Sequence, residues 1–417
     1  MDRKTNKNNV PELRFPGFEG EWEKKTIGEI ADVLQGFGFP DKYQGKIIGE
    51  LPFCKVGDIS VAVDNGERKI SHAANYVDYS LLPTLHARPI PVGATIFAKI
   101  GEAIRSNKRI MTGVPCLIDN NTAAVKAKDD EYDEFLFYLM SNVSLTDYSG
   151  GIVPSVNKST IEAISVFLPP TNLEQKQIST CLSYIDDLIA AQGRKVDILK
   201  GRKKGLMQQL FPQPGETTPR LRFPGFTGEW KKRAFKDITT PTGKKNRQNL
   251  PYERYSISNE VGFYPQSGQF EDGGGYLRDI DCRQYIIVPP KSFAYNPARI
   301  NVGSIGYQNL DKEVIVSSLY EVFQTSADCD DSFIWQWFHT DIFHKMVVDV
   351  QEGGVRQYFF YEKLKECSIC LPSISEQKQI ADFLASLDKV IDYELKKMES
   401  LKTHKQGLMQ QLFPITV

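Results

Sequence analysis

The 417-residue chain is 41% hydrophobic and 25% charged with a formal net charge of -1, enough for two or more domains with their own cores. No apolar run approaches the ~20 residues of a membrane span, and the polar stretch Met1–Phe15 lacks the apolar centre of a secretory signal, so a cytoplasmic protein without a membrane partner is expected. Seven scattered cysteines are expected to be free thiols, and the near-neutral balance neither announces nor excludes a nucleic-acid partner.

The first stretch to stand out is Leu13–Trp22, LRFPGFEGEW, because it recurs as Leu221–Trp230, LRFPGFTGEW. After it come short β-rich runs broken by Gly, Pro, Asn and Asp, among them Gly93–Gly101 and Ala163–Pro170, with a helical stretch at Glu131–Val143. Residues 1–170 are therefore a first globular head. Pro169 and Pro170 stop it, and Thr171-x-x-Glu174 reads as a capping box for a helix over 171–212. Apolar residues recur there at Ile178, Leu182, Ile185, Ile189, Val196, Leu199, Leu206 and Leu210, with Gln192 and Lys203 in the two remaining slots. Spacings that alternate four and three are a heptad seam, which buries one stripe against a partner helix.

A Pro/Gly/Thr linker over 213–220 leads to a second head, 221–372. Its β-rich runs are Gln284–Pro290 and Lys312–Phe323, and its helical stretch is Asp331–Val347. Cys367 and Cys370 lie in a run that alternates like a strand up to Pro372, without the second cysteine or histidine pair that a zinc site would need. Residues 373–417 then restate the first helix: Ser373-x-x-Glu376 opens it, and the seam is Ile380, Leu384, Leu387, Ile391, Met398, Leu401, Leu408 and Leu412. Its interruptions, Glu394 and Lys405, fall where Gln192 and Lys203 fell. Both helical segments end on GLMQQLFP, at 205–212 and 407–414.

The expected fold class is α+β: two mainly-β heads separated by two long helices that pair antiparallel as a coiled coil, in a pseudo-twofold tandem repeat. At ~1.5 Å per residue each helix is a rod of ~57 Å, with a head near each end. Gly205 and Gly407 mark either a close approach of another subunit or frayed helix ends. The heads have diverged, and only echoes remain. Ile96–Gly101 resembles Ser292–Pro297, and Gly150–Pro170 resembles Gly353–Pro372. A scaffold kept twice with unlike heads suits a protein that meets two copies of one partner while recognising two different things.

No catalytic constellation is present in the sequence. Thr242-Gly243-Lys244-Lys245 lacks the upstream glycine of a phosphate loop, Gly36-Phe37-Gly38 reads as a turn, and Val288-Pro289-Pro290 reads as a strand end. What remains is surface chemistry suited to nucleic acid. Arg105, Asn107, Lys108 and Arg109 mix phosphate-seeking cations with an amide that reads base edges. Lys244, Lys245 and Arg247, then Arg299 and Asn301, then Arg356, Gln357 and Tyr358 do the same in the second head. A solvated loop is the plain alternative for each cluster. The basic run Arg194, Lys195, Lys200, Arg202, Lys203 and Lys204 either answers the helix dipole or lies over a DNA backbone.

With RFPGFxGEW, the EQKQI helix opening and the GLMQQLFP ending each present twice, the chain resembles, over essentially its full length, the specificity subunit of Type I restriction-modification enzymes. The resemblance implies two target-recognition domains, each reading one half of a bipartite, asymmetric double-stranded DNA site. It implies that the helices set the gap and dock two modification (methyltransferase) subunits, with restriction (motor-nuclease) subunits completing the endonuclease. The chain itself would be non-catalytic and hold no cofactor; S-adenosylmethionine, ATP and magnesium would belong to the partners, which methylate adenine and cleave DNA. The rival expectation is a coiled-coil assembly scaffold whose heads bind proteins.

Overall fold

A computed structural model describes residues 9–128, 131–258, 262–266, 281–350 and 358–414. The chain divides into two compact units, one of residues Met1–Val196 with Tyr393–Val417 and one of Asp197–Asp392. Each unit thus holds one head and a stretch of both long helices.

In the first unit the main sheet has the strand order Ala31–Gln35, Thr122–Ala127, Thr95–Ala98, Arg109–Thr112 and Lys69–Ile70. Its neighbours are antiparallel except the last pair. Thr95–Ala98 and Arg109–Thr112 are buried at every residue, so neither strand shows the in-and-out alternation of a half-buried one. A smaller sheet joins Asn75–Val77, Leu51–Cys54 and Leu117–Ile118. At Gly36 a Cβ would lie 1.8 Å from the carbonyl oxygen of Asp119, so glycine is required there by close approach. The helix Asp133–Asn142 is buried from Phe135 through Met140 and joins its sheet to the long helices.

The second unit repeats the central plan. Thr239–Pro241, Glu321–Thr325, Ser292–Tyr295 and Ile305–Gln308 form an antiparallel sheet in the same relative order. The run 312–323 splits into strands Val314–Val316 and Glu321–Thr325, because Tyr320 turns back to bond the Ser317 carbonyl. The helical stretch 331–347 likewise divides into Asp331–Phe338 and Asp341–Val350. Thr340 causes the break: its hydroxyl donates to the Trp337 carbonyl at 2.7 Å and accepts from the Phe343 amide at 3.2 Å, capping a new helix.

The long helices, Asn172–Leu210 and Ile374–Leu412, are 39 residues each. In the first unit Asp186 pairs with Lys405 at 2.6 Å and Gln192 with Glu394, also at 2.6 Å. Numbers rise along one helix as they fall along the other, so the pair is antiparallel. In the second unit Lys203 pairs with Asp388 at 2.6 Å, and Met207 and Leu210 share a core with Ile380, Ala381 and Leu384. The polar interruptions of the seam are thereby explained. Gln192 and Glu394, at matched positions in the repeat, bond each other, while Lys203 and Lys405 each meet the aspartate of the opposite copy. Head helices join the same bonds: the Tyr138 hydroxyl donates to Asp186 at 2.7 Å, and the Gln336 amide donates to Asp388 at 2.9 Å.

The three repeated strings converge in each unit. Arg14 forks onto Glu174 with two bonds of 2.8 Å and also donates to the carbonyls of Glu19 and Gly20. Arg222 forks onto Glu376 at 2.7 and 2.8 Å and donates to Thr227 and Gly228. The capping boxes are formed on the hydroxyl side, where Thr171 and Ser373 accept from the Glu174 and Glu376 amides. The glutamate carboxylates, which a capping box would turn back on the helix start, are occupied by the arginine forks. Leu13 and Leu221 donate to the carbonyls of Gln411 and Gln209, and Phe413 stacks edge-on against Trp22. The repeat is thus the sequence of a joint that ties each head to both helices. A Cβ at Gly205 or Gly407 would meet nothing within 4 Å, and both lie inside helix rather than at frayed ends. Among the described residues no helix is long and apolar enough to cross a membrane.

Candidate nucleic-acid interface

Each head brings two loops together at one end of its main sheet. In the first head, the connection between strands Thr95–Ala98 and Arg109–Thr112 contains a 3-10 turn, Glu102–Ile104. It is held to the segment after Gly150 and Gly151 by bonds from the Gly101 amide to the Pro154 carbonyl (2.7 Å) and from the Val156 amide to the Lys99 carbonyl (2.9 Å). The second head makes the corresponding connection between Ser292–Tyr295 and Ile305–Gln308 through the turn Ile300–Val302. There the Phe359 amide bonds the Pro297 carbonyl at 2.9 Å. Buried Ile104 and Ile300 pin the two turns. The echoes between the heads therefore mark one shared pair of loops.

Arg105 ends its turn 65% exposed, paired with Glu102 at 3.0 Å, and Lys108 pairs with Asp64 at 2.7 Å. Asn107, in the left-handed region at φ 49, donates to the Ser141 carbonyl and accepts from Arg109, so its amide holds the loop to the head helix. Arg109 is only 6% exposed and lies 4.8 Å from the centroid of the Phe97 ring. Burial lowers its guanidinium's pKa below the ordinary value. It belongs to the core because it begins a strand buried on both faces. Beneath the loop, Lys99 reaches Gln35 at 3.2 Å, and burial depresses its ammonium despite the nearby Asp119.

In the second head Arg299 is exposed and Asn301 half-buried on the matching turn, and Tyr358 follows beside Pro297. Arg356 and Gln357 lie outside the described residues. Lys244, Lys245 and Arg247 are exposed, but they belong to a different sheet, where Lys244–Lys245 pairs with Ile286–Val288. Lys245 donates to Gln284 at 2.9 Å. The intervening Asn246 is buried and closes the loop onto Leu250. On the first long helix, half of the basic run is already paired: Lys195 with Glu394 at 2.5 Å, Lys203 with Asp388, and Lys204 with Asp341 at 3.1 Å. Arg194, Lys200 and Arg202 remain exposed.

Sequence reasoning passed over Ile152, Val153 and Phe360, all exposed on the second loop of each pair. The signal was there in the paired glycines that precede them in both heads. Thus the first head presents Arg105 and Lys108 near exposed apolar groups, and the second presents Arg299 and Asn301 near aromatic ones, a mixture suited to phosphates and bases.

A family model described as "Type I restriction modification DNA specificity domain" matches this sequence twice, over residues 19–199 and 228–403. The chain is 24% identical over 423 residues to the Type I restriction enzyme MjaVIII specificity subunit of Methanocaldococcus jannaschii, covering 96% of this chain and 93% of that one. It is 22% identical to a putative MjaX specificity subunit of the same organism, covering 98% and 95%. Among solved structures, the S subunit of a Type I restriction-modification system from M. genitalium matches with a TM-score of 0.55 at 12% identity, covering 98% of this chain and all of that one. A chain from a structure concerned with complex assembly and conformational transition of the type I R-M system matches at 0.56 and 14% identity, covering 96% and 98%. These two likenesses concern the fold.

Proposed function

The chain belongs to the Type I restriction-modification DNA specificity family, and on that premise we propose that it is the sequence-reading subunit of such a complex, each head reading one half of a bipartite, asymmetric site in double-stranded DNA. The observation that carries the reading is the contrast inside each unit. The fork of Arg14 onto Glu174 is repeated bond for bond by Arg222 on Glu376, while the paired loops beyond it differ in almost every side chain. An identical joint serves identical partners, and different loops serve different half-sites.

In this reading Arg105, Lys108, Arg299, Asn301 and Tyr358 meet DNA, with Lys244, Lys245 and Arg247 on its flank. Two modification subunits dock on the duplicated helical surface, and restriction subunits join them in the full complex. S-adenosylmethionine, ATP and magnesium then belong to those partners, and this chain contributes recognition without chemistry, in the cytoplasm where the DNA is. The alternative, heads that bind proteins, is not favoured by family membership.

The test is methylome sequencing of a host expressing the chain with its modification subunits. One new bipartite, adenine-containing motif is the expected result. No change in the methylation pattern, with the complex intact, overturns the reading.

A further inference from the structure

The end of the first head's main sheet that carries the loop of Arg105 also holds two charged side chains withdrawn from water. Lys99, which begins that loop, and Asp119 are each only 8% exposed. Asp119 lies near Lys99, but the ammonium's bond goes to the side-chain carbonyl of Gln35, at 3.2 Å. Asp119 accepts from the side-chain amide of Asn121 at 3.2 Å through one oxygen, and its other oxygen is buried without a bond. Burying charges beside neutral partners is unfavourable, so stability does not explain the arrangement. What it does is hold two exposed amides, Gln35 and Asn121, at one corner of the sheet. Strands Ala31–Gln35 and Thr122–Ala127 pair Gln35 with Ala123, and the Lys99 amide bonds the Asn121 carbonyl at 2.8 Å. The glycine required at Gly36 lets the chain beyond Gln35 cross directly over Asp119.

A lysine only donates and a carboxylate only accepts. Lys99 therefore takes the oxygen of Gln35 and leaves its NH2 group without a partner among the described residues. Asp119 takes an N–H of Asn121 and leaves the Asn121 side-chain oxygen to accept. A donor and an acceptor with fixed orientations match adenine, whose major-groove edge offers N7 as acceptor and the N6 amino group as donor. Guanine presents two acceptors there and would leave the Asn121 oxygen unmet. We propose that Gln35 and Asn121 are specificity-determining residues that read one adenine of the first half-site, with Lys99 and Asp119 as the positioning residues behind them. The inference rests on the DNA-recognition reading above and names side chains that carry it out. Lys55, which bonds Gln44 at 2.7 Å, adds a second positive charge beside Asp119. Acids of the adjoining segments are occupied: Asp41 by Gln44, Asp58 by the amides of Lys55 and Ala74, and Glu102 by Arg105. Counted from the repeated entry segments, Gly243 stands where Gln35 stands, so the contact belongs to one half-site alone.

The experiment uses the full chain assembled with its modification subunits, and its first readout is methylome sequencing. Gln35→Ala and Asn121→Ala are each expected to relax the motif at the same single adenine of one half-site, with the other half-site unchanged. Both side chains are exposed, so melting temperatures stay at the native value. Binding is then measured on duplexes of the mapped site carrying 7-deazaadenine, which lacks the N7 acceptor, at each adenine in turn other than the methylated ones. The native complex loses roughly tenfold in affinity at that one position, about the worth of one base contact. Gln35→Ala binds the substituted and unsubstituted duplexes equally. Lys99→Met, which keeps the stem without the charge, loses the same discrimination without a lower melting temperature, a combination that a merely structural lysine would not give. An unchanged motif in the double variant, or relaxation at a base pair without adenine or in both half-sites, overturns the assignment and leaves DNA recognition standing. A native complex that binds no DNA overturns the functional reading and the assignment with it.

Discussion

Arg14 and Arg222 show how much one side chain can hold in this chain. Each reaches a nearly inaccessible glutamate through a two-pronged bond and ties off two backbone carbonyls as well. Removing one partner of such a pair leaves a buried charge uncompensated. Arg14→Ala is expected to destabilise the first unit by about 2–3 kcal/mol, read by denaturant unfolding, with Arg14→Lys intermediate because an ammonium cannot fork. A loss under about 0.5 kcal/mol would count against the joint, since that is the range of ordinary surface changes. Glu394 gives a pH test. Lys195 first, and then Gln192, hold its carboxyl below the ordinary range. A depressed carboxyl stabilises the fold above its unfolded value, and that contribution is lost as pH falls through the folded value. Thermal melts from pH 7 to pH 3 are therefore expected to fall more steeply for the native chain than for Glu394→Gln, the difference opening below about pH 4.5. Parallel curves would show that the Gln192–Glu394 pair carries no such linkage.

At the scale of elements, the long helices explain why polar residues persist in an apolar seam. Gln192 and Glu394 satisfy each other only in one alignment, and Lys203 and Lys405 find Asp388 and Asp186 only in the same one. Such pairs lower stability relative to apolar contacts but exclude other registers. Inserting four residues near Ala190 or near Tyr393 displaces every pair beyond the insertion. The expected outcome, read by methylome sequencing, is a longer gap in the recognised site or loss of recognition, with neither half-site altered. Methylation of an unchanged site would remove the spacer role from the helices. Gly205 and Gly407 have room for a Cβ, so this chain's own packing does not explain why glycine stands there twice.

At the scale of the molecule, the same plan is executed twice with different loops. Each unit is a head whose sheet, entry segment and helix ends close one core. Exchanging the segment from about Thr26 to Pro170 for the head of another family member leaves the Arg14–Glu174 joint and the Phe413 contact in place. The expected result is a new methylation motif that differs from the old one in a single half-site. Changes in both halves would mean that the heads do not read independently.

The sequence by itself determined the duplication, the seam with its matched breaks and several of the strands, because periodicity and repetition are properties of the chain read locally. It also carried the resemblance that placed the chain in its family. Only the tertiary structure decided what those residues do. Glu174 looks like half of a capping box until Arg14 is brought to it across 160 positions, and Arg109 looks like a DNA contact until its strand is buried on both faces. Asn107 looks like a base reader until its amide is seen to tie its loop to the head helix. The exposed tips at Ile152 and at Tyr358 and Phe360 were written in the sequence as ordinary apolar residues after paired glycines. Whether an apolar side chain enters a core or stands in water depends on what the rest of the chain packs against it, and local pattern does not contain that.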